Sequence, residues 1–313
     1  MKILVIDKVH NILLKGLKEK NCKINYAPDI LPEEISKIIS QYKGLILRSK
    51  MKIDSDFIDK AENLIFIARV GAGIENIDVK YANKKGIHCI NSPEGNKDSV
   101  GEHTLGLLLS LTNKINQSNT EVKKGIWQRE KNRGIEIKNK TVGILGYGNM
   151  GSAFAEKLKG LGVNIIAYDK YIFDFSNEYV KEVTQAEFFE QTDFLSIHIP
   201  FNKENHYLIN KEYIEKFRKP IILLNTSRGK VLQTDDLLPL INSGKITGAG
   251  LDVLEYERST FEELFDNTKL PNTLNELIQS ERVILTPHIA GWTDESYYKV
   301  SAIIAKKIIE KFF

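Results

Sequence analysis

The stretch Thr141-Val-Gly-Ile-Leu-Gly-Tyr-Gly-Asn-Met-Gly151 decides the fold of this chain. A short apolar run, typical of a buried strand, leads into a G-x-G-x-x-G pattern formed by Gly146, Gly148 and Gly151. Apolar residues at helical spacing follow it, namely Phe154, Leu158 and Leu161. The glycines therefore stand where a strand turns into a helix, which predicts a turn that binds a dinucleotide pyrophosphate at the helix N-terminus.

An acidic residue closes the next predicted strand. The run Asn164-Ile-Ile-Ala-Tyr-Asp169 ends 18 residues after Gly151, where dinucleotide-binding domains carry the carboxylate that binds the ribose hydroxyls. A carboxylate there repels the 2′-phosphate of NADP, so Asp169 predicts NAD as the cofactor. Lys170 beside it has the opposite charge and acts against that preference.

The composition indicates a soluble globular protein. The 313 residues are 42% hydrophobic, and 44 basic against 41 acidic residues leave a net charge of +3. Because no dense basic run is interleaved with aromatics and no apolar run is long enough to span a bilayer, we expect neither a nucleic-acid nor a membrane partner. Cys22 and Cys89, interpreted as buried free thiols, predict a cytoplasmic location. The six histidines show no metal-ligand spacing, so no metal is expected.

Strand and helix patterns alternate in two parts of the chain. The first part has five apolar runs and no glycine fingerprint, whereas the second has six and begins with the fingerprint at Thr141. One amphipathic helix, roughly 294–313, remains at the end and is expected to pack on the first part. The prediction is an α/β fold of two doubly wound parallel-sheet domains. A Rossmann NAD domain of residues 98–289 is inserted into a discontinuous flavodoxin-like domain of residues 1–97 and 290–313.

Three later strands of the second part end in polar segments: Asn225-Thr-Ser-Arg228-Gly, Gly250-Leu-Asp252-Val-Leu-Glu-Tyr-Glu257 and Thr286-Pro-His288-Ile-Ala-Gly. Because parallel strands share one carboxyl edge, we expect Arg228, Glu257 and His288 to converge. An arginine fork suits a carboxylate, and a histidine beside an acid suits proton transfer near neutral pH. Together with a nicotinamide, these groups meet the needs of 2-hydroxy acid oxidation.

Taken singly, the same residues are compatible with structural roles. Arg228 is equally suited to a surface ion pair, and His288 after a proline to capping a turn. Glu257 is also compatible with a solvated loop acid, and from spacing alone Glu255 competes for its role.

Over nearly its full length the chain resembles the D-isomer-specific 2-hydroxyacid dehydrogenases. The substrate-domain motifs that match are Arg69-Val-Gly-Ala-Gly-Ile-Glu-Asn-Ile-Asp78, Asn91-Ser-Pro-Glu-Gly-Asn96 and Ser99-Val-Gly-Glu-His103. The cofactor and catalytic motifs that match are Gly146-Tyr-Gly-Asn-Met-Gly151, His198-Ile-Pro200, Asn225-Thr-Ser-Arg-Gly229, Leu251-Asp-Val and Pro287-His288.

The resemblance implies a role for each catalytic residue. Arg228 would bind the substrate carboxylate and polarise the carbonyl, Glu257 rather than Glu255 would orient His288, and His288 would carry the proton. Asp252 matches the residue that meets the carboxamide end of NAD. The implied cofactor-binding set is Gly146, Tyr147, Gly148, Asn149, Met150, Gly151, Asp169, His198, Pro200, Thr226, Ser227 and Asp252. The chain departs from the family at Arg258, where proline is common, and at Trp292, where small residues are common.

Within the family the chain resembles phosphoglycerate dehydrogenases, which implies D-3-phosphoglycerate and 3-phosphohydroxypyruvate as substrates, in serine biosynthesis. The implied substrate-binding residues are Arg48, Ser49, Arg69, Gly71, Ala72, Gly73 and Asn96. Arg48 and Arg69 are also compatible with structural ion pairs at strand ends. Because the sequence stops after the closing helix, we expect no C-terminal regulatory domain.

Alternative functions stay open at this point. They are a glyoxylate or hydroxypyruvate reductase, another D-2-hydroxyacid dehydrogenase, and an NAD-sensing regulator like the corepressors that share this fold. The resemblance also implies a homodimer, for which the region Asp98–Lys140 is the candidate interface.

Overall fold

The computed structural model describes residues 1–257 and 270–313. They form two compact units, each built on a parallel sheet, which confirms the predicted fold class. Of the described residues, Met1–Lys97 and Trp292–Phe313 belong to the first unit, and Asp98–Glu257 with 270–291 to the second. The chain returns to the first unit after Gly291, two residues later than the sequence pattern suggested.

The first unit has a five-stranded sheet in the order β2-β1-β3-β4-β5, which is the flavodoxin-like order. Its strands are β1 (Lys2–Val5), β2 (Lys23–Tyr26), β3 (Gly44–Leu47), β4 (Phe66–Arg69) and β5 (His88–Ile90). Its helices are α1 (Asn11–Glu19), α2 (Pro32–Ile38), α3 (Ser55–Lys60), α4 (Val79–Lys84) and, at the end of the chain, α12 (Asp294–Phe312).

The closing helix α12 completes the core of the first unit. Val300, Ile304 and Ile308 are buried in one cluster with strand residues such as Ile3 and Phe66. Gly95 packs so closely on this helix that a Cβ there would lie 2.7 Å from the backbone nitrogen of Val300. The apolar face of α12 is therefore buried against the sheet of the first unit.

The second unit has a seven-stranded parallel sheet in the order β12-β11-β10-β9-β6-β7-β8. Its strands are β6 (Thr141–Leu145), β7 (Asn164–Tyr168), β8 (Lys181–Glu182), β9 (Phe194–Ile197), β10 (Ile221–Asn225), β11 (Ile246–Leu251) and β12 (Val283–Leu285). This is the Rossmann order extended by a seventh strand. The sequence predicted six strands; it missed β8 because two charged residues make no apolar run.

Helices cover both faces of the second unit's sheet. They are α5 (Lys97–Thr112), α6 (Ile115–Lys123), α7 (Asn149–Leu158), α8 (Gln185–Gln191), α9 (Lys211–Glu215), α10 (Thr234–Asn242) and α11 (Asn272–Gln279). Two apolar clusters, one holding Phe154 and Leu108 and the other Phe188 and Leu237, fill the space between these helices and the sheet. Because the helices cover its faces, the polar loops that connect strands and helices lie at the ends of the strands.

One cysteine differs from its predicted burial. Cys22 is buried as expected, but Cys89 in β5 is only partly buried. Trp127, the main aromatic of the segment between α6 and β6, has 78% of its surface exposed. Within the described part of the chain, no helix is both long enough and apolar enough to cross a membrane.

Candidate active site

The fingerprint turn has the shape that a pyrophosphate requires. Gly146 has φ +91°, a left-handed conformation that favours glycine, and a Cβ on Gly151 would lie 2.0 Å from the carbonyl oxygen of Gly146. Above Gly148 the space is open, with no atom within 4 Å of an added Cβ. Helix α7 begins at Asn149 without a side-chain cap. Its first N–H groups and the cleared surface at Gly148 therefore fit the phosphates of a dinucleotide.

Asp169 is held at the end of β7 by backbone donors. Its Oδ2 accepts the N–H of Tyr147 at 2.7 Å, and its Oδ1 accepts those of Tyr171 at 2.8 Å and Ile172 at 3.0 Å. A carboxylate has about four acceptor positions, so these three bonds leave room for a ribose hydroxyl. The carboxylate predicted to bind ribose thus lies directly against the fingerprint turn.

His198 follows β9 and packs against the same turn. Its backbone N–H donates to Leu145 at 2.8 Å, and its Nε2 exchanges a 2.8 Å hydrogen bond with Ser196. Its Nδ1 is buried and has no partner within residues 1–257 and 270–313. Burial lowers the pKa of His198 to about 3, so the ring is neutral at physiological pH. Pro200 lies on the same loop, exposed.

A buried asparagine shapes the loop that carries Thr226 and Ser227. Asn225 is fully buried; its Oδ1 accepts from Ser227 N at 3.1 Å and Ser227 Oγ at 2.8 Å, and its Nδ2 donates to the carbonyl of Arg228 at 3.1 Å. Thr226 shares a 3.0 Å hydrogen bond with Thr104 of α5. Sequence reasoning assigned Asn225 no role, although an asparagine that bonds to the backbone two residues on is a known turn former.

Arg228 leaves this loop in an extended conformation, and its Nη1 donates to the carbonyl of Ser227 at 2.6 Å. The next residue, Gly229, lies so close to the loop after β11 that a Cβ there would be 2.0 Å from the carbonyl of Leu254. Glycine at 229 is therefore what lets the Arg228 loop pack on the loop that ends in Glu257.

Glu257 and His288 form the pair that the sequence proposed. Glu257 Oε2 lies 2.6 Å from His288 Nδ1, and Glu257 Oε1 accepts the backbone N–H of Leu254. Both side chains are partly exposed, at 22% and 25%. The carboxylate fixes the ring and binds one nitrogen, so Nε2 is the nitrogen that can exchange a proton with another molecule.

Glu255 has a different environment. Its Oε1 accepts the N–H of Thr234, the first residue of α10, at 3.2 Å. Its hydrogen bond to the hydroxyl of Tyr207, with burial, raises the pKa of Tyr207 to about 12. Burial and Glu255 also raise the pKa of Tyr256. Glu255 thus anchors the loop to α10 while Glu257 contacts the histidine, which separates two acids that sequence spacing left as competitors.

Asp252 supports the segment that carries His288. Its carboxylate is 1% exposed; Oδ1 accepts from Thr286 Oγ1 at 2.6 Å and Ile289 N at 2.9 Å, and Oδ2 accepts from Ala290 N at 2.8 Å. These bonds hold His288 at φ +56°, a conformation that costs a non-glycine residue roughly 1–3 kcal/mol. The contacts in this structure tie Asp252 to the segment that carries His288, and the contact with the carboxamide end of NAD that the resemblance implied stays a prediction.

In the first unit, contacts join three of the predicted substrate-binding residues. Arg69 Nε donates to the carbonyl of Arg48 at 3.2 Å, and a Cβ on Gly71 would lie 1.8 Å from Arg69 Nη1. The guanidinium of Arg48 stacks on the rings of Trp292 at 4.3 Å and Tyr297 at 5.6 Å. Burial lowers the pKa of Arg48, and the charge of Asp7 opposes this. Arg48 and Arg69 therefore lie at the carboxyl ends of the neighbouring strands β3 and β4, where the side chain of Arg69 contacts the backbone of Arg48.

The loop of Gly71, Ala72 and Gly73 is fixed by the segment after β5. Ser92, fully buried, accepts the N–H of Gly71 at 3.1 Å, and Asn91 donates to the carbonyl of Ala72 at 2.5 Å. The Gly71 N–H is thus committed to Ser92. Ser49 follows Arg48 directly, and Asn96 ends the short helix Pro93–Gly95.

The remaining features of the sequence are Arg258, Trp292, the question of a metal site, and His103. Arg258 lies outside the described residues. Trp292 has 66% of its surface exposed and packs on Arg48. In the described ranges, no group of three His, Cys, Asp or Glu side chains could hold a metal ion. His103 contacts Thr286 at 3.1 Å and so belongs to the support of the His288 segment.

Comparison with known proteins agrees with the family resemblance seen in the sequence motifs. Residues 105–290 match the family model described as "D-isomer specific 2-hydroxyacid dehydrogenase, NAD binding domain". The chain is 33% identical over 311 residues to D-3-phosphoglycerate dehydrogenase of Archaeoglobus fulgidus, covering 99% of this chain and 57% of that protein. It is 35% identical over 281 residues to hydroxypyruvate reductase of Thermotoga maritima, covering 89% and 88%. The chain thus spans little more than half the length of the phosphoglycerate dehydrogenases it matches.

Solved structures agree in fold. D-lactate dehydrogenase of Aquifex aeolicus, complexed with NAD and lactic acid, superposes with a TM-score of 0.83 at 26% identity, covering 99% of this chain and 96% of that one. A D-lactate dehydrogenase of Treponema pallidum gives the same TM-score at 26% identity, covering 99% and 97%. Similarity over almost the whole of both chains includes both units.

Proposed function

The chain belongs to the D-isomer-specific 2-hydroxyacid dehydrogenases, and we propose that it interconverts a D-2-hydroxy acid and its 2-keto acid with NAD. The predicted family, fold class and cofactor are confirmed by the family match and the NAD-bound structural relatives. The pairing of Glu257 with His288 at 2.6 Å, beside the Arg228 loop, is the observation that supports the reaction.

In the proposed reduction, His288 donates a proton from Nε2 to the carbonyl oxygen of the keto acid. Glu257 holds the ring by Nδ1 and balances the charge of the imidazolium. Arg228 binds the substrate carboxylate through its fork and draws electron density from the neighbouring carbonyl. The chemistry that NADH supplies when bound is transfer of a hydride to the keto carbon. In the oxidation, His288 takes the hydroxyl proton back.

For the substrate, we propose D-3-phosphoglycerate and 3-phosphohydroxypyruvate, which would place the enzyme in serine biosynthesis. The support is the position of Arg48 and Arg69 at the carboxyl ends of two neighbouring strands, β3 and β4, since two cations suit a dianionic phosphate. The N–H groups of Ala72 and Gly73 are proposed as further donors to the substrate's anionic groups. Hydroxypyruvate or glyoxylate is the second candidate. It is favoured by the match to a hydroxypyruvate reductase, which covers 88% of the length of that reductase.

A panel of keto acids separates the candidates. We would measure kcat/KM with NADH for 3-phosphohydroxypyruvate, hydroxypyruvate, glyoxylate and pyruvate in the wild type, Arg48→Ala and the control Arg218→Ala, an exposed arginine paired with Glu190. The proposal expects a preference for the phosphorylated acid that Arg48→Ala reduces by roughly tenfold or more, because a charge-assisted contact is lost. Preference for unphosphorylated acids, unchanged by Arg48→Ala, would assign the reductase instead.

The same panel tests whether the protein is an enzyme at all. His288→Ala should abolish nearly all turnover with every acid that the wild type reduces, while NADH still binds. A His288→Ala variant with unchanged turnover would exclude the acid–base role. Binding of NADH without turnover of any acid by the wild type would favour an NAD-sensing regulator.

We also propose a homodimer that forms through the region Asp98–Lys140. Several apolar side chains are exposed there, namely Ile115, Val122, Ile126, Trp127 and Ile135. Light scattering of the wild type and of Trp127→Glu tests this, since a charge in place of the most exposed of these side chains should yield monomers. The proposed location is the cytoplasm, because Cys22 and Cys89 are free thiols.

A further inference from the structure

An ion pair joins the residue after Asp169 to the loop after β9. Lys170 Nζ is paired with Glu204 Oε1, and the hydroxyl of Tyr171 donates to Glu204 Oε2. Glu204 thus engages both residues that directly follow the ribose-binding carboxylate. Its side chain is 49% exposed and that of Lys170 is 58% exposed, so both groups are accessible to a dissolved ligand.

The ion pair of Lys170 and Glu204 lies on loops that flank the fingerprint turn. Strands β7 and β9 flank β6, the strand that leads into the fingerprint turn. The pair therefore connects the two loops on either side of that turn, at the edge where nucleotides bind in sheets of this type. The boundary between β6 and β9 is also the point where the strand order reverses.

Lys170 occupies the position where a cation changes cofactor preference. In dinucleotide-binding domains an acid at the end of the second strand binds the ribose hydroxyls, and a cation nearby accommodates the 2′-phosphate of NADP. This chain has both, as Asp169 and Lys170. The acid alone does not explain why the adjacent lysine leaves NAD preferred.

We propose that Glu204 is a cofactor-selectivity residue, which neutralises Lys170 and so withholds it from the 2′-phosphate of NADP. Tyr171 holds the same carboxylate by its hydroxyl and keeps it on the Lys170 side. Selectivity for NAD then depends on a residue 35 positions from Asp169 in the sequence.

Binding measurements test this without any need for turnover. Dissociation constants for NADH and NADPH would be measured by calorimetry for the wild type, Glu204→Gln, Lys170→Ala and the double variant. We expect Glu204→Gln to tighten NADPH binding by about three- to tenfold and to change NADH binding by less than about twofold, the range for one partly exposed charge. In the double variant the gain for NADPH should disappear, because it requires the lysine.

The control is Glu190→Gln, which removes an equally exposed glutamate from its pair with Arg218. It should leave the ratio of the two constants unchanged. An unchanged ratio in Glu204→Gln would overturn the proposal, and so would a gain for NADPH that persists when Lys170 is also removed. The inference rests on NAD as the cofactor, but the two fail differently: failure of the wild type to bind NADH counts against the proposed function, whereas the ratio tests Glu204 alone.

Discussion

Glu257 Oε2 lies 2.6 Å from Nδ1 of His288, although the two residues are 31 positions apart in the sequence. The glutamate follows β11 and the histidine follows β12, which are neighbours in the sheet. Parallel pairing of these strands, with Leu251 opposite Leu285, brings the two loops to the same edge. The pair is therefore a consequence of the sheet's strand order.

Replacing Glu257 by glutamine should lower kcat by roughly 10²-fold or more, within the range for general acid–base catalysis. The amide keeps the size of the side chain but cannot balance the positive charge of His288 during proton transfer. Steady-state kinetics with the preferred keto acid, together with NADH binding, check this. Glu276→Gln on α11, an exposed position, is the control. A kcat within twofold of wild type would contradict the role of Glu257.

Asp252→Asn should loosen the His288 segment. The carboxylate accepts from Ile289, Ala290 and Thr286, and an amide would turn its NH₂ group toward at least one of these donors. Hydrogen bonds to a charged group contribute about 1.5–3 kcal/mol each, so we expect a loss of about 2–4 kcal/mol in the free energy of unfolding.

The kinetics of Asp252→Asn should change as well, since His288 would leave its left-handed conformation. We expect kcat to fall more than the affinity for NADH, and urea unfolding with kinetics would measure both losses. Asp235→Asn is the control, because Asp235 is an exposed acid that accepts a hydrogen bond from Thr273. Equal stability of Asp252→Asn and wild type would refute the positioning role.

Gly151→Ala should weaken NADH binding and destabilise the second unit. The added methyl group would lie 2.0 Å from the carbonyl oxygen of Gly146, so α7 must move away from the turn. Overpacking of this kind typically costs about 1–3 kcal/mol. Gly106→Ala in α5 is a matched control, because its Cβ meets no atom within 4 Å and alanine favours a helix. Unchanged melting temperature and NADH affinity in Gly151→Ala would contradict this account.

The sequence predicted those features that depend on short-range patterns. The fingerprint turn, the acid at 169 and the parallel strands all follow from residue order over a few positions, and the structure has them. The strand β8 was missed because it is held by pairing with β7, not by its own composition. Likewise Cys89 was assigned too much burial, because an apolar run does not reveal which face of its segment is covered.

The supporting residues of the site were hardest to predict. Asn225, Ser92 and Thr104 act through contacts across 2 to 122 sequence positions. Asn225 fits a local turn pattern, but nothing local marks Ser92 or Thr104, whose partners Gly71 and Thr226 are distant in the sequence. The difference between Glu255 and Glu257 is of the same kind: it depends on which acid faces Thr234 and which faces His288, and only the folded loop decides this.

His198 makes the stability of the protein depend on pH. Burial lowers its pKa to about 3, well below the value of about 6.5 in an unfolded chain. Between these values the unfolded state binds a proton that the folded state does not, so acidification favours unfolding. The stability is complete above about pH 6.5 and declines as the pH falls toward 3. From pH 6.5 to 5.5 this residue alone should remove about 1 kcal/mol.

His198→Gln tests this, because glutamine keeps a polar group near Ser196 but does not titrate. The variant is expected to be less stable at neutral pH. The comparison therefore concerns how much the free energy of unfolding changes with pH, not its absolute value. Urea unfolding at pH 6.5 and 5.5 should show a loss in the wild type that exceeds the loss in the variant by about 1 kcal/mol. Equal losses in the two proteins would mean that the imidazole is protonated in the folded state.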